Sequence, residues 1–160
     1  MTACAVRPLA PPDAPTCDAI IRSLPEFFGH EGGRADCVAA VRSQDGWVAE
    51  VDGRVIGFAT WQPRTADAAE ITWMAVHRDL RHTGAGTAIV ERLVTDLAAR
   101  GFRLAFAMTS AAHKQPVTGP DPYDDTRRFW VRRGFLPLTE LDIWDTDIAL
   151  ILVRPLLPAT

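Results

Sequence analysis

The sequence predicts an α/β protein whose helices pack on a mixed β-sheet. A buried strand over Ile71–Val76 leads through a polar loop into a helix with one apolar face, which is a strand–helix unit. Upstream, Asp52-Gly53 joins two apolar runs and predicts a β-hairpin. A further strand–helix–strand unit follows towards the C-terminus. Hairpin and strand–helix units in one chain indicate a sheet that contains both antiparallel and parallel strand pairs.

Seven strands and four helices are predicted. The strands lie around Val6 and over Trp47–Val51, Arg54–Trp61, Glu70–Val76, Phe102–Met108, Phe135–Leu138 and Ile143–Val153. The helices run over about Asp13–Arg22, from the end of a Pro25–Gly33 loop to about Ser43, over Gly84–Arg100 and over Asp124–Arg133.

Caps and breakers set the bounds of these elements. Asp13 follows Pro11-Pro12 and is predicted to cap the first helix. Arg100-Gly101 and Gly134 end the third and fourth helices, since glycine adopts the left-handed conformation at a helix end. The stretch Ser110–Pro122 carries proline and glycine and is predicted to be a long loop.

Composition narrows the class of protein. At 160 residues we expect one domain spanning residues 1–160, with a core that needs no disulfide. The net charge of −3 argues against nucleic-acid binding. No segment has the length of a membrane span or the apolar core of a signal peptide. Three cysteines without metal spacing indicate a reducing cytoplasm, and the sequence leaves a homodimer open.

The loop from Arg81 to Gly86 is predicted to bind a phosphate. Small residues at a helix start leave backbone N–H groups uncovered, and the helix dipole favours an anion there. The first turn carries no carboxylate of its own. A dinucleotide fingerprint would need glycine where Ile89 stands, and no Gly-Lys-Ser/Thr of a P-loop follows. An ordinary glycine-rich turn is the remaining alternative.

This loop, between a strand ending in Met-Ala-Val and an amphipathic helix, resembles the pyrophosphate loop of the GNAT superfamily of N-acetyltransferases. The resemblance covers nearly the whole chain and is weakest before Asp45. It implies a mostly antiparallel seven-stranded sheet, a splay between the fourth and fifth strands, and acetyl-CoA as co-substrate. The cofactor-binding residues it implies are Met74, Ala75, Val76, Arg81, His82, Thr83, Gly84, Ala85, Gly86, Thr87, Thr109 and Trp130.

Glu70 is the strongest candidate for the general base. It lies eleven residues before Arg81, the place of a catalytic glutamate in some members of the resembled family. An ammonium with a pKa near 10 must lose a proton before its nitrogen can attack a thioester. A carboxylate at the centre of the sheet could accept that proton directly or through water. One alternative is that Glu70 is a solvated glutamate at a strand end, and another is that Glu26 serves as the base.

Trp130 departs from the resembled family. That position usually carries a tyrosine that protonates the leaving CoA thiolate, and an indole N–H cannot do so. Tyr123, seven residues earlier, is the candidate substitute. Solvent is the alternative acid, because a thiol with a pKa near 8.5 is a good leaving group. Simple core packing explains Phe129-Trp130 equally well.

The acceptor site is predicted from two acidic and aromatic segments, Glu26–Glu31 and Glu140–Asp147. They favour a small cationic amine, with an aminoglycoside-like antibiotic or a polyamine as the first guess. The candidate acceptor-binding residues are Glu26, Phe27, Phe28, Trp73 and Trp144.

Several alternatives remain open at this point. Phe27 and Phe28 could only fill the core under their loop. No metal is expected, because His30, His77, His82 and His113 share no ligand spacing. The arginines 127, 128, 132 and 133 most simply flank a helix end with solvated charge, and one of them could lie beside the adenosine 3′-phosphate. A silent acyl-CoA-binding module and a protein acetyltransferase are the competing functions.

Overall fold

A seven-stranded sheet and four α-helices form the protein in a computed structural model, which describes residues 3–29 and 31–157. His30 and both chain ends lie outside the described residues. The strands are β1 (Ala5–Pro8), β2 (Asp45–Val51), β3 (Arg54–Pro63), β4 (Ala68–Val76), β5 (Leu104–His113), β6 (Leu136–Leu141) and β7 (Asp147–Pro155). The helices are α1 (Ala14–Arg22), α2 (Glu31–Ser43), α3 (Ala85–Ala99) and α4 (Asp124–Arg132).

The sheet has the order β1-β2-β3-β4-β5-β7-β6. β4 and β5 pair in parallel, and the other neighbouring strands pair antiparallel. The expected mixed, mostly antiparallel sheet is therefore confirmed. The hairpin turn between β2 and β3 has positive φ at Asp52 (51°) and Gly53 (76°), which suits the right-handed twist of the strands.

Two apolar cores lie on opposite faces of the sheet. On one face, α1 and α2 bury a cluster that includes Ile20, Val41 and Phe58. On the other face, α3 buries Ile89, Leu93 and their apolar neighbours on the same side of the helix, as its periodicity predicts. Because α3 is anchored along its whole length, its first turn is fixed beside the end of β4.

Several element boundaries differ from the prediction. α2 begins at Glu31 instead of after Gly33, because burial of Cys37 and Val41 outweighs the low helix propensity of the glycines. β5 runs on to His113, into the stretch predicted as a loop, because it pairs with β7 up to Asp147. β6 extends to Leu141 and β7 begins at Asp147, so Ile143 lies in the connecting loop.

Asp13 occupies the N-cap position of α1 without capping it. Its side chain makes no cap hydrogen bond to α1. Instead, its carboxylate accepts hydrogen bonds from both terminal nitrogens of Arg7, at 2.8 and 2.9 Å, and from the Ala10 backbone N–H at 2.9 Å. Asp13 therefore does not cap α1 as predicted, because the charged guanidinium of Arg7 is a stronger hydrogen-bond donor than a backbone N–H of the helix.

Candidate functional site

A cleft opens where β4 and β5 part. The two strands pair only from Ala68 opposite Leu104 to Ile71 opposite Ala107. Beyond that point β4 keeps its pairing with β3 and β5 keeps its pairing with β7, so the facing edges separate. The cleft has a volume of about 1410 Å³ and reaches from the α2 side of the sheet to the start of α3.

The predicted phosphate loop forms one end of this cleft. His82 and Gly84 have positive φ values of 63° and 92°, which turn the chain sharply into α3. The first backbone hydrogen bond of α3 runs from Ala88 N–H to Gly84 O, so the N–H groups of residues 85–87 have no intrahelical acceptor. Of the loop residues, Arg81, His82, Gly84, Gly86 and Thr87 line the cleft.

Glu70 lies at the point where the strands separate. It is 5% exposed and opposite Phe106, in the next-to-last paired position of β4 and β5. The alternative of a solvated glutamate is therefore wrong. Arg64, in the turn between β3 and β4, donates a hydrogen bond from Nε to the Glu70 carboxylate at 2.5 Å. Sequence reasoning missed Arg64, because a contact between hairpin arms depends on their register.

A β-bulge in β4 sets which side chains face the cleft. The register between β3 and β4 shifts at Thr72, and the Thr72 hydroxyl donates to Gln44 Oε1. After the bulge, Trp73 packs with the α1–α2 core and Met74 with the α3 core. Both residues line the cleft, on its two sides. Gln44, which the sequence did not single out, lines it as well.

Aromatic side chains from both halves of the molecule meet over the cleft. The Phe27 and Tyr123 rings are 5.1 Å apart in an edge-to-face arrangement, and the Arg81 guanidinium lies 5.0 Å from the Phe27 centroid. Burial, together with the nearby Asp147 and Asp121 carboxylates, raises the pKa of Tyr123 to about 12. Phe28 is buried against Trp73 in the core.

Trp130 and Thr109 line the cleft and are buried. Trp130 packs against Phe135, with ring centroids 4.8 Å apart, and belongs to the α3-side core. Ser110, next to Thr109, also lines the cleft, and its buried hydroxyl has no hydrogen-bond partner among the described residues. Sequence reasoning missed Ser110 because it was placed at the start of a loop.

The two acidic segments differ in their position. Glu26 pairs with Arg78 and does not line the cleft, whereas its neighbours Phe27 and Phe28 do. In the second segment, Trp144, Asp145 and Asp147 line the cleft. The carboxylates that line the cleft are those of Asp36 on α2, Glu70 on β4, Asp125 on α4, and Asp145 and Asp147 around the start of β7.

A histidine and an arginine hold the residues that precede α4. His113 Nδ1 lies 2.6 Å from the Asp147 carboxylate, and its Nε2 lies 3.4 Å from Asp121. Arg127 pairs with Asp121 and donates to the Ser110 carbonyl at 2.6 Å. Burial acts to raise the pKa of Asp121, but the hydrogen bonds from Arg127 and the Tyr123 N–H lower it overall.

The arginines of α4 and its C-terminus are not simply solvated charge. Arg127 is bound as described, and Arg133 donates from Nη1 to the Thr87 hydroxyl at 3.1 Å. Arg128 is exposed and pairs with Asp124 of its own helix. The expectation of a solvated group is therefore wrong for Arg127 and Arg133, because α4 packs its basic side against neighbouring elements.

Neither metals nor membrane spans are indicated by the described part of the chain. Within residues 3–29 and 31–157, no group of three or more His, Cys, Asp or Glu side chains is arranged to hold a metal ion. None of the helices described there is both long and apolar enough to cross a membrane.

The parted strands and the glycine-rich helix start define the class of acetyl-CoA-dependent acyltransferases. The sequence profile of the acetyltransferase (GNAT) family matches residues 15–135. The chain therefore belongs to this family and is an N-acetyltransferase that uses acetyl-CoA as co-substrate. No curated protein sequence gave a significant match.

Solved structures share the fold over almost the whole chain. A protein assigned to the GNAT family from Desulfovibrio desulfuricans has 25% identity and a TM-score of 0.82, with 97% of this chain and 100% of that chain covered. The ribosomal-protein-S18-alanine N-acetyltransferase from Escherichia coli has 18% identity and a TM-score of 0.78, with 99% and 97% covered. A GNAT acetyltransferase from Elizabethkingia anophelis with acetyl-CoA bound has 13% identity and a TM-score of 0.70, with 96% and 98% covered.

Proposed function

We propose that this enzyme transfers the acetyl group of acetyl-CoA to a primary amine of a small cationic molecule, by direct attack in a ternary complex. The observation that carries the proposal is the position of Glu70. This buried carboxylate lies in the cleft, where β4 and β5 begin to part. An amine entering the cleft would meet the thioester beside this carboxylate.

Acetyl-CoA is proposed to lie along the parted strands. Its pyrophosphate accepts hydrogen bonds from the N–H groups at the start of α3. Its pantetheine arm pairs with the free edge of β4, and a backbone N–H near Met74 faces the thioester oxygen as negative charge develops. The proposed contacts are Met74, Ala75, Val76, Thr109, Trp130 and the loop residues Arg81, His82, Thr83, Gly84, Ala85, Gly86 and Thr87.

Glu70 is proposed as the general base or as the group that holds the water acting as base. The substrate ammonium loses a proton to it, and the free amine attacks the thioester carbonyl carbon. The C–S bond then breaks and CoA leaves as a thiolate. Arg64 already occupies the Glu70 carboxylate, so the incoming ammonium must share or replace this contact. Arg64 is 47% exposed along its side chain, which leaves it room to move away.

Tyr123 is proposed to donate a hydrogen bond to the leaving thiolate. Its pKa of about 12 keeps it protonated at neutral pH. The same value makes full proton transfer to a thiolate with a pKa near 8.5 unfavourable, so solvent supplies the proton. Trp130 fills space beside the sulfur and gives up no proton.

The cysteines support direct attack over an acyl-enzyme intermediate. Cys17 and Cys37 are fully buried in the α1–α2 core. Burial raises the pKa of Cys17 to about 12 and that of Cys37 further, so neither forms a thiolate at neutral pH. Neither residue lines the cleft.

A cationic acceptor is proposed because Asp36, Asp145 and Asp147 line the cleft together with Trp144. Carboxylates attract the additional ammonium groups of an aminoglycoside or polyamine, and an indole face packs against sugar or alkyl carbons. A protein or peptide N-terminus remains the second candidate, since one structural neighbour is named for acetylating an alanine of a ribosomal protein.

The test is a screen for CoA release from acetyl-CoA with aminoglycosides, polyamines, amino acids and peptides, with mass spectrometry of each product. We expect turnover with polyamines or aminoglycosides and little with glutamate. Selective turnover of an anionic amino acid or a peptide would contradict the cationic small-molecule acceptor. Binding of acetyl-CoA without turnover of any amine would favour a silent binding module.

A further inference from the structure

Arg133 lies at the junction between the C-terminal end of α4 and the first turn of α3. Its Nη1 donates to the Thr87 hydroxyl at 3.1 Å, and Thr87 is the third residue of α3. Arg133 lines the cleft together with Gly84 and Gly86. Its guanidinium therefore reaches the helix start at which the N–H groups lack partners.

The guanidinium of Arg133 has an unsatisfied donor. Its Nε is buried and has no hydrogen-bond partner among the described residues. Burying an N–H without an acceptor is unfavourable, and a guanidinium prefers a charged acceptor to a hydroxyl. In contrast to Arg127 and Arg128, Arg133 forms no ion pair with a carboxylate of the described chain.

The backbone around Arg133 is held in place by Arg154 of β7. Arg154 Nη1 donates to the Arg133 carbonyl at 2.8 Å and to the Glu91 carboxylate at 3.2 Å. Since Glu91 is on α3, Arg154 ties the end of α4 to the helix that carries the phosphate loop. The backbone of Arg133 is thus held in place before any ligand binds, which lowers the entropic cost of a side-chain contact.

We propose that Arg133 binds the pyrophosphate of acetyl-CoA from the side opposite the loop N–H groups. The inference rests on the acetyl-CoA site proposed above, and it adds a charged side chain from α4 to a site made of backbone groups. The pyrophosphate replaces the Thr87 hydroxyl as the acceptor of Nη1 and accepts from the unsatisfied Nε. The 3′-phosphate is disfavoured, because Arg133 contacts the first turn of α3.

The test is isothermal titration of Arg133→Met with CoA and with 3′-dephospho-CoA. Loss of charge-assisted hydrogen bonds to the pyrophosphate should weaken both ligands by a similar factor, about 10- to 100-fold. The slope of log Kd against log salt concentration should also fall. Arg103→Met is the control, since it removes an equal charge from an exposed side chain that does not line the cleft, and it should weaken binding no more than about threefold.

Each other outcome contradicts the inference. Weakening confined to CoA would assign Arg133 to the 3′-phosphate, and equal weakening in Arg103→Met would reduce the effect to general positive charge. If Arg133→Met does not fold, Arg133→Lys keeps the charge and should retain part of the affinity. Unchanged affinity in a folded Arg133 variant overturns the inference alone, whereas wild-type protein that binds no CoA overturns the proposed acetyl-CoA site.

Discussion

Glu70 and Glu50 are two glutamates that make similar contacts and can therefore be compared by mutation. Each accepts a hydrogen bond from an arginine Nε, Glu70 from Arg64 and Glu50 from Arg7, but only Glu70 lines the cleft. Glu70→Gln should lower kcat about a hundredfold or more, because an amide cannot accept the substrate proton. Acetyl-CoA affinity should change little.

The control for this prediction is Glu50→Gln, which breaks a similar arginine contact away from the cleft and should leave kcat within about twofold. Steady-state kinetics from pH 6 to 9 with calorimetry of CoA binding measure both variants. Near-normal turnover of Glu70→Gln over this range would transfer the role to bulk solvent.

Variants of Tyr123 and Trp130 test how the leaving thiolate is stabilised, by a hydrogen bond from the Tyr123 hydroxyl or by a proton transferred from it. Tyr123→Phe should lower kcat about tenfold, the effect of one lost hydrogen bond, with CoA binding intact. Trp130→Phe keeps an aromatic ring in the core and should retain most activity. Both are measured as kcat with saturating acetyl-CoA. A fall in the kcat of Tyr123→Phe by a thousandfold or more would show that the phenol transfers its proton. An unchanged kcat would show that the thiolate is protonated by solvent without help from Tyr123.

At the scale of the element, the start of α3 depends on a glycine in the left-handed region. Gly84 has φ of 92°, and a Cβ there would touch nothing within 4 Å among the described residues. Gly101, at the other end of the same helix, has φ of 93° and equally open surroundings. Valine at either position should cost stability by roughly 1–2 kcal/mol or more, from backbone strain alone.

Only Gly84→Val should also weaken acetyl-CoA binding strongly, because its side chain would occupy the space of the pyrophosphate. Thermal unfolding and calorimetry of Gly84→Val and Gly101→Val separate the two effects. Equal CoA affinity of the two folded variants would show that the phosphate lies elsewhere.

The junction of β1 and α1 predicts a pH dependence of stability. The hydrogen bond from Arg7 lowers the pKa of Asp13, against the effect of burial, and the Ala10 N–H lowers it further. The carboxylate therefore stabilises the fold above its unfolded pKa of about 3.8, and this contribution is lost as pH falls through the lower folded value. Asp13→Asn should lower the free energy of unfolding by roughly 1–2 kcal/mol at pH 7.

The difference between Asp13→Asn and wild type should narrow below about pH 4, as wild-type Asp13 is protonated. Urea unfolding at several pH values measures this difference in unfolding free energy, and Asp67→Asn, a substitution at an exposed residue, is the control. A difference that stays constant down to pH 2 would exclude the Arg7–Asp13 interaction as its source.

The elements that the sequence predicted correctly depend on local signals. The Asp52-Gly53 turn, the α3 periodicity and Gly84 each act within a few residues, so their pattern is readable without tertiary structure. Arg64, Gln44 and Ser110 reach the cleft only through strand register and the Thr72 bulge. Long-range register carries no local pattern, which explains why the phosphate loop was predicted and these three residues were not.

On the scale of the whole molecule, the cleft carries both signs of charge. Arg81, Arg132 and Arg133 line it and would attract the anionic co-substrate. Asp36, Asp145 and Asp147 also line it and would attract a cationic acceptor. A protein with a net charge of only −3 therefore places strong local charges of both signs in one cleft.

The carboxylates in the cleft predict different salt responses for cationic and neutral acceptors. With acetyl-CoA saturating, KM for a polyamine should rise several-fold between about 0.05 and 0.5 M NaCl, because the Debye length falls from about 14 to about 4 Å. KM for a neutral monoamine should change little, and kcat should stay constant for both. In the double variant Asp145→Asn with Asp147→Asn, the salt dependence for the polyamine should largely disappear. A polyamine KM that does not respond to salt in the wild-type enzyme would exclude charge as the basis of acceptor choice and leave the aromatic side chains to select the substrate.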